Sequence, residues 1–300
     1  MKEVPAEILN PASTEKSWTA VFADLVKARL TTLVLLTTYV GFYVGGRGAL
    51  NFALMFHTLF GTALVAAGAA ALNQLLEREF DAKMRRTAGR PLPSGRLQPT
   101  TVAIFGGVCS VAGLIYLALL VNLLTSVLGA VTLVSYLFIY TPLKRVTWTN
   151  TLVGAIPGAL PPLMGWTAAR NELGGEGWAL FAILAFWELP HFFAIAWMYR
   201  DDYAKAGFIM LPNVDADGSR TGQQAVVNTV ALFAASLCPF FFKMAGITYF
   251  VAAIILGAGF LFYAVQFSRL LTIVRARQLF LASTIYLPLL LAAMCCDKLK

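Results

Sequence analysis

Asn73, Glu77 and Asp81 stand four residues apart, and each carries an oxygen that could bind a metal ion. On an α-helix this spacing drifts only about 80° in total, so the three side chains share one face. Such a face suits a Mg²⁺ ion shared with a diphosphate, because Mg²⁺ takes one or two carboxylates and completes its shell with phosphate oxygens and water. Lys83, Arg85, Arg86 and Arg90 follow at once, and their cations could hold the phosphate oxygens. Bases alone would read as a loop that topology makes basic. Acids on one helical face at the end of a long apolar run point to a site instead.

Two further clusters could join it. Glu188 and His191 share a face at i, i+3 inside an apolar run, where ionisable groups are costly and usually face a cavity. Pro190 between them is expected to loosen that helix. Asp201 and Asp202 lie at the polar end of the run with Arg200 and Lys205 beside them. They read as more metal and phosphate ligands, or as a solvated helix end. Tyr140, Lys144 and Arg145 form the third cluster, YTPLKR. Its bases could reach the same phosphate or serve topology alone, and Pro142 is expected to end the helix there. His57 reads as structural. Trp187, Phe192, Phe193 and Trp197 are ordinary membrane-helix aromatics unless the substrate is a large flat ring. The stretch DADGS at 215–219 lacks most calcium-loop ligands and reads as a turn.

The elements that must position these residues are membrane helices. The chain has 300 residues, 59% hydrophobic and 13% charged, with a mean hydropathy of +0.72, against ~25% charged residues in an ordinary soluble domain. The net charge of +8 reads as topology and not as nucleic-acid binding, because the bases sit in particular loops. The four cysteines show neither metal-ligand spacing nor a disulfide framework. The acidic N-terminus argues against a transit peptide. Segments of ~20 apolar residues fall near 22–44, 51–74, 101–121, 123–141, 149–168, 178–199, 225–243, 247–267 and 278–296. These nine spans form one all-α, polytopic domain over 22–300, after a leader at 1–21. The third and fourth are separated by Asn122 alone, which requires a tight turn. Eighteen of the 23 Lys and Arg residues fall on the side of the N-terminus and of the loops after the second, fourth, sixth and eighth spans. The expectation is that this side is cytoplasmic. The long polar loops after the second and sixth spans echo each other four spans apart. That suggests a duplicated four-helix unit whose two sites face one cavity.

Three motifs then carry a resemblance: N-x-x-x-E-x-x-x-D-x-x-M-x-R-T-x-x-R-P from Asn73, Y-T-P-L-K-R from Tyr140, and P-H-F followed by R-D-D-Y-x-x-A-G-F-x-M-L-P. Together they resemble the heme O synthase (protoheme IX farnesyltransferase) branch of the UbiA superfamily of intramembrane prenyltransferases, from about Lys27 to Arg220. The resemblance implies nine helices around a central cavity and an enzyme of the bacterial plasma membrane. Farnesyl diphosphate would ionise at its allylic carbon, the vinyl group of heme b would attack, and water would add to give heme O. It implies Mg²⁺ as cofactor, on Asn73, Glu77, Asp81, Asp201 and Asp202. The anionic substrate would meet Lys83, Arg85, Arg86, Arg90, Tyr140, Lys144, Arg145, Arg200 and Lys205, with Glu188 and His191 on the acceptor side. Membrane lipid, a heme A synthase and cytochrome oxidase assembly factors are the partners it points to. This sequence departs from the pattern at two places, Glu77 where many members have Asp and Glu188 where the heme branch usually has Gln, while Tyr199 and Tyr203, where quinone-pathway members have aspartates, are like the heme branch.

His191 lies about 12–15 Å deeper than the acidic edge at ~1.5 Å per residue. Imidazole is a usual axial ligand of heme iron, so His191 is a candidate for that role. Otherwise it bonds Glu188 or a carbonyl and fixes its span. Two other readings compete: a prenyltransferase acting on an aromatic quinone precursor, and a transporter relaying protons through Glu188 and His191.

Overall fold

The computed structural model describes residues 17–299. Most of the expected leader (residues 1–16) and Lys300 lie outside the described residues. Among the described residues nine helices are long and apolar enough to cross a membrane: Ala28–Gly45, Phe52–Asp81, Pro99–Leu120, Leu123–Leu143, Asn150–Arg170, Gly175–Met198, Ser219–Phe241, Ile247–Leu270 and Ile273–Cys296. Each matches an expected span, and they are numbered one to nine below. Helices satisfy every backbone group internally, as hydrocarbon demands.

Consecutive spans pack together, span five also packs along span one, and span nine returns to both span six and span one. The ring encloses a cavity of about 350 Å³, lined from spans one, two, four, five, six and nine. Asn122 turns the chain between spans three and four. Its Oδ1 accepts from the Thr125 amide at 2.8 Å while its Nδ2 donates to the Thr167 carbonyl at 2.9 Å. His57 is structural as expected, its Nδ1 lying 2.7 Å from the Tyr116 hydroxyl across spans two and three.

Four elements differ from expectation, and three of the differences shape the site. Span two has 30 residues, about 45 Å at ~1.5 Å per residue against a hydrocarbon core of ~30 Å. Its last turns therefore carry Asn73, Glu77 and Asp81 beyond the apolar stretch while still helical. The expected first segment at 22–44 is broken. A short helix, Trp18–Leu25, precedes span one, and Lys27 between them adopts a left-handed φ of 48°. Gln74 holds the break in place, its Nε2 donating to the Asp24 and Leu25 carbonyls at 2.9 and 2.8 Å. Span four widens into a π-helical turn at Ser135–Tyr140 before a last α-turn at Thr141–Leu143. Pro142 has no N–H for the Phe138 carbonyl, and the Thr141 amide reaches back to Tyr136 instead. Span six, by contrast, runs unbroken through Pro190.

Spans one and five touch at backbone distance. A side-chain carbon on Gly165 would collide with the Thr38 carbonyl, and one on Gly41 with the Pro162 carbonyl. Small residues that admit such contact are how membrane helices pack closely. Gly165→Leu should accordingly lower the melting temperature of the purified protein in detergent sharply, since overpacking a tight interface costs about 1–3 kcal/mol or more. Gly259→Ala, at a position with nothing within 4 Å, should leave the melt unchanged.

Candidate active site

The face predicted from the four-residue spacing is buried, and each of its three side chains, Asn73, Glu77 and Asp81, is engaged by a base. Lys27 donates to Asn73 Oδ1 at 2.7 Å, Lys144 to Glu77 Oε1 at 2.7 Å and Arg90 to Asp81 Oδ2 at 2.5 Å. Asn73 Nδ2 donates to the Thr141 hydroxyl at 3.0 Å, and Lys27 also lies 3.2 Å from the Tyr136 hydroxyl. The broken helix before span one aims Lys27 inward. The π-turn of span four presents Tyr136 and Tyr140 to the same space, their rings stacked at 5.8 Å.

The two long polar loops meet over this face. The Ile209 amide donates to the Lys144 carbonyl at 2.7 Å, and Asn150 Nδ2 donates to the Ile209 carbonyl at 2.8 Å. Arg86 donates to the Tyr203 hydroxyl at 3.0 Å, with its guanidinium 5.4 Å from the Tyr199 ring and 5.7 Å from the Tyr203 ring. Phe80 packs on Phe208 at 5.6 Å. The result is a polar pocket of about 80 Å³ whose lining includes Lys27, Glu77, Asp81, Arg86, Arg90, Tyr140, Lys144 and Tyr203. Lys27, Arg86, Arg90, Tyr140, Lys144 and Tyr203 also line the larger cavity, so the two spaces are continuous.

Four bases against two carboxylates leave the pocket net positive, which suits an anion. Burial, with Arg90 and Lys144 nearby, pushes the Lys27 ammonium down to about 7 against the pull of Glu77 and Asp81. For Lys144 burial also pulls downward, but the Glu77 carboxylate and the two tyrosines override it and hold this cation well above the ordinary lysine range. Asp81 Oδ1 is a buried oxygen with no hydrogen-bond partner among the described residues. An orphaned carboxylate oxygen is costly unless a cation completes it. No three His, Cys, Asp or Glu side chains among the described residues group so as to hold a metal by themselves. Two carboxylates plus ligand phosphates remain enough for Mg²⁺.

Asn73, Glu77, Asp81, Arg86, Arg90, Tyr140 and Lys144 are thus brought together, and Glu188 lines the connected cavity. Other candidates are placed elsewhere. Lys83, Arg85, Asp201 and Lys205 are exposed and Asp202 is half-buried, and none lines either space. Arg200 lies over the Trp197 ring at 5.0 Å and 3.9 Å from Asp201. Arg145 turns the opposite way from its neighbour Lys144, onto the Phe80 ring at 4.8 Å in an outer groove. His191 is not in the cavity lining. Its Nδ1 lies 2.7 Å from the Ser283 hydroxyl of span nine, and its ring stacks between Trp187 and Phe280 at 4.9 Å each. Packing on span nine, not a bond to Glu188, occupies that imidazole. The DADGS stretch is the expected turn, Asp215 and Asp217 accepting from Thr221 and Ser219.

Sequence reasoning missed Lys27 and Tyr203 as pocket residues and Tyr136 as part of the cavity wall beside them. In the sequence Lys27 reads only as one of the topology bases, with Arg29 two residues on in the same apolar run. Tyr136 stands four residues before Tyr140, a spacing that could have paired them.

A profile of the UbiA prenyltransferase family matches residues 34–287. The chain belongs to the UbiA prenyltransferase family. Protoheme IX farnesyltransferase of Solibacter usitatus is 48% identical over 286 residues, covering 92% of this chain and 98% of that protein. A solved structure of digeranylgeranylglyceryl phosphate synthase matches with a TM-score of 0.79 at 16% identity, over 93% of this chain and 98% of that one. A UbiA homolog from Archaeoglobus fulgidus bound to GPP and Mg²⁺ matches with a TM-score of 0.64 at 14% identity, over 91% of this chain and 99% of that one. For a UbiA prenyltransferase, Glu77→Ala and Asp81→Ala are each expected to lower prenyl transfer about 100-fold or more, the scale of losing one electrostatic element of a preorganised site. Glu77→Asp, which keeps the charge, should be milder. Turnover at matched membrane content of each variant checks this.

Proposed function

We infer that this UbiA prenyltransferase moves a farnesyl group from farnesyl diphosphate to the vinyl group of protoheme IX, with addition of water, to yield heme O and diphosphate. One observation carries the reading: a cationic pocket that opens directly into a membrane-embedded cavity lined largely by apolar and aromatic side chains, in a chain 48% identical to a protoheme IX farnesyltransferase. The pocket's cations suit a diphosphate, and the cavity's apolar and aromatic wall suits a prenyl chain and an apolar ring.

In this reading Lys27, Arg86, Arg90 and Lys144 hold the diphosphate oxygens. Arg86 reaches them from the first polar loop and is steadied by Tyr199 and Tyr203 of the second. Glu77 and Asp81 would hold Mg²⁺, with Asp81 Oδ1 free to do so and Asn73 fixing Lys27 beside them. When bound, Mg²⁺ would supply Lewis-acid neutralisation of charge on the leaving diphosphate. The protein's bases add electrostatic stabilisation of the same charge. Tyr136 and Tyr140 stand at the junction of pocket and cavity, where the allylic carbon would lie, and the apolar wall keeps bulk water from it. The membrane is then the bacterial inner membrane, with the N-terminus and the pocket loops cytoplasmic. Heme b enters as substrate.

A proton-coupled transporter is less well supported. Glu77 and Asp81 are each tied to a base, and His191 bonds Ser283, which leaves no relay from Glu188.

Membranes containing the protein, supplied with heme b, farnesyl diphosphate and Mg²⁺, should yield a heme heavier by one farnesyl group and one water on mass analysis. Unmodified heme alone would reject the reading, and a prenylated phenolic acid would reassign the acceptor. Arg86→Ala should raise the KM for farnesyl diphosphate about tenfold or more, the scale of a lost charge-assisted hydrogen bond, with a smaller change for heme. Steady-state kinetics in each substrate separates the two effects.

A further inference from the structure

Glu188 brings a carboxyl from span six into the larger cavity, and no described residue pairs with it by hydrogen bond or ion pair. Its oxygens rest against the bare backbone of span five, where a methyl group on Gly158 would collide with them. Gly158 stands among Pro157, Pro161 and Pro162 inside that helix. Proline has no N–H, so the carbonyls four residues earlier, of Val153, Pro157 and Gly158, lose their ordinary helical donors. Pro157, Gly158 and Pro161 line the same cavity as Glu188. Glu188 thus faces a helix wall with carbonyls freed of their donors, among apolar neighbours such as Leu184 and Leu287, and offers an acceptor of the kind a buried water needs.

The reaction inferred above requires one water at one moment and the exclusion of all others. We propose that Glu188 is a positioning residue: its carboxyl oxygen accepts a hydrogen bond from the single water that captures the cation formed on the heme vinyl group. The proposal rests on the heme-farnesylation reading. The vinyl electron pair forms the new bond to the farnesyl C1, and the C1–O bond breaks with its pair leaving on diphosphate. The inner vinyl carbon is left cationic. A lone pair of the held water forms the C–O bond there, and the proton the water sheds passes to the released diphosphate in the adjoining polar pocket. An acceptor suffices for this role, so a neutral amide at the same place would serve as well.

The test compares wild type, Glu188→Gln and Glu188→Leu in membranes at matched protein content, with extracted hemes analysed by mass. In Glu188→Leu the ratio of hydrated to unhydrated farnesyl heme should fall about tenfold or more, the scale of one hydrogen bond to a developing charge. The cation then loses a proton instead, and a product lighter by one water accumulates. Glu188→Gln, whose amide oxygen accepts the same bond, should keep the hydrated product. An unchanged ratio in Glu188→Leu would overturn the proposal, as would a Glu188→Gln variant that fails to hydrate. Loss of both products in Glu188→Leu with the protein present would also overturn it, by making Glu188 a substrate-binding or folding residue. Absence of farnesylated heme from the wild type would instead reject the function proposed above.

Discussion

The structure depends on keeping charges of both signs buried where a membrane helix meets the polar loops. Glu77 and Lys144, both largely withdrawn from solvent, are paired at 2.7 Å. Removing ions from water costs several kcal/mol each after relaxation, and only close geometry with further hydrogen bonds offsets it. The surrounding network supplies those bonds: Asn73 takes Lys27 and gives to Thr141, while Arg90 closes on Asp81. The excess of cations makes the arrangement incomplete by itself. Surplus positive charge suits the site to an anion, and the orphaned Asp81 oxygen is left to be completed by a bound cation.

Everything around that network serves to hold it and to wall off the chemistry below it. Gln74 ties down the helix break that aims Lys27. The clamp from Ile209 to Lys144 and Asn150 joins the loop after span six to the end of span four. Arg86 is caught between Tyr199 and Tyr203, two neutral side chains that leave its charge free for an anion. Lower in the membrane, glycine contacts press span five against span one, and its prolines leave the Val153, Pro157 and Gly158 carbonyls without their helical donors. The same helix therefore contributes close packing on one face and cavity wall on another.

The two polar loops, similar in sequence character and four spans apart, do converge on one space, but they contribute unequally. The first, with the end of span two before it, supplies both carboxylates and two of the four bases, Arg86 and Arg90, while Lys27 comes from the start of span one and Lys144 from the end of span four. The second supplies aromatic and apolar contacts, Tyr203 and Phe208 above all, while Asp201 stays exposed and Asp202 half-buried at the membrane edge. The asymmetry follows from helix phase. Tyr203 turns inward from the short helix Arg200–Ala206, and Asp201, two residues earlier, is rotated roughly 200° away at about 100° per residue.

Local pattern by itself determined the nine spans, the Asn122 turn, the shared face of Asn73, Glu77 and Asp81 and the concentration of bases on one side. Each of these depends on run length, helical period or charge count within one segment, and such quantities do not need a partner in space. Tertiary structure decided which way each charged residue points. Lys144 enters the pocket and the adjacent Arg145 leaves it. His191 turns to Ser283 on span nine while Glu188, three residues before it, faces the cavity. Lys27 reaches Asn73, 46 residues away. These choices are set by how helices distant in sequence rotate and pack against one another, because the low-dielectric interior accepts a charge only where another element supplies its partner or a cavity.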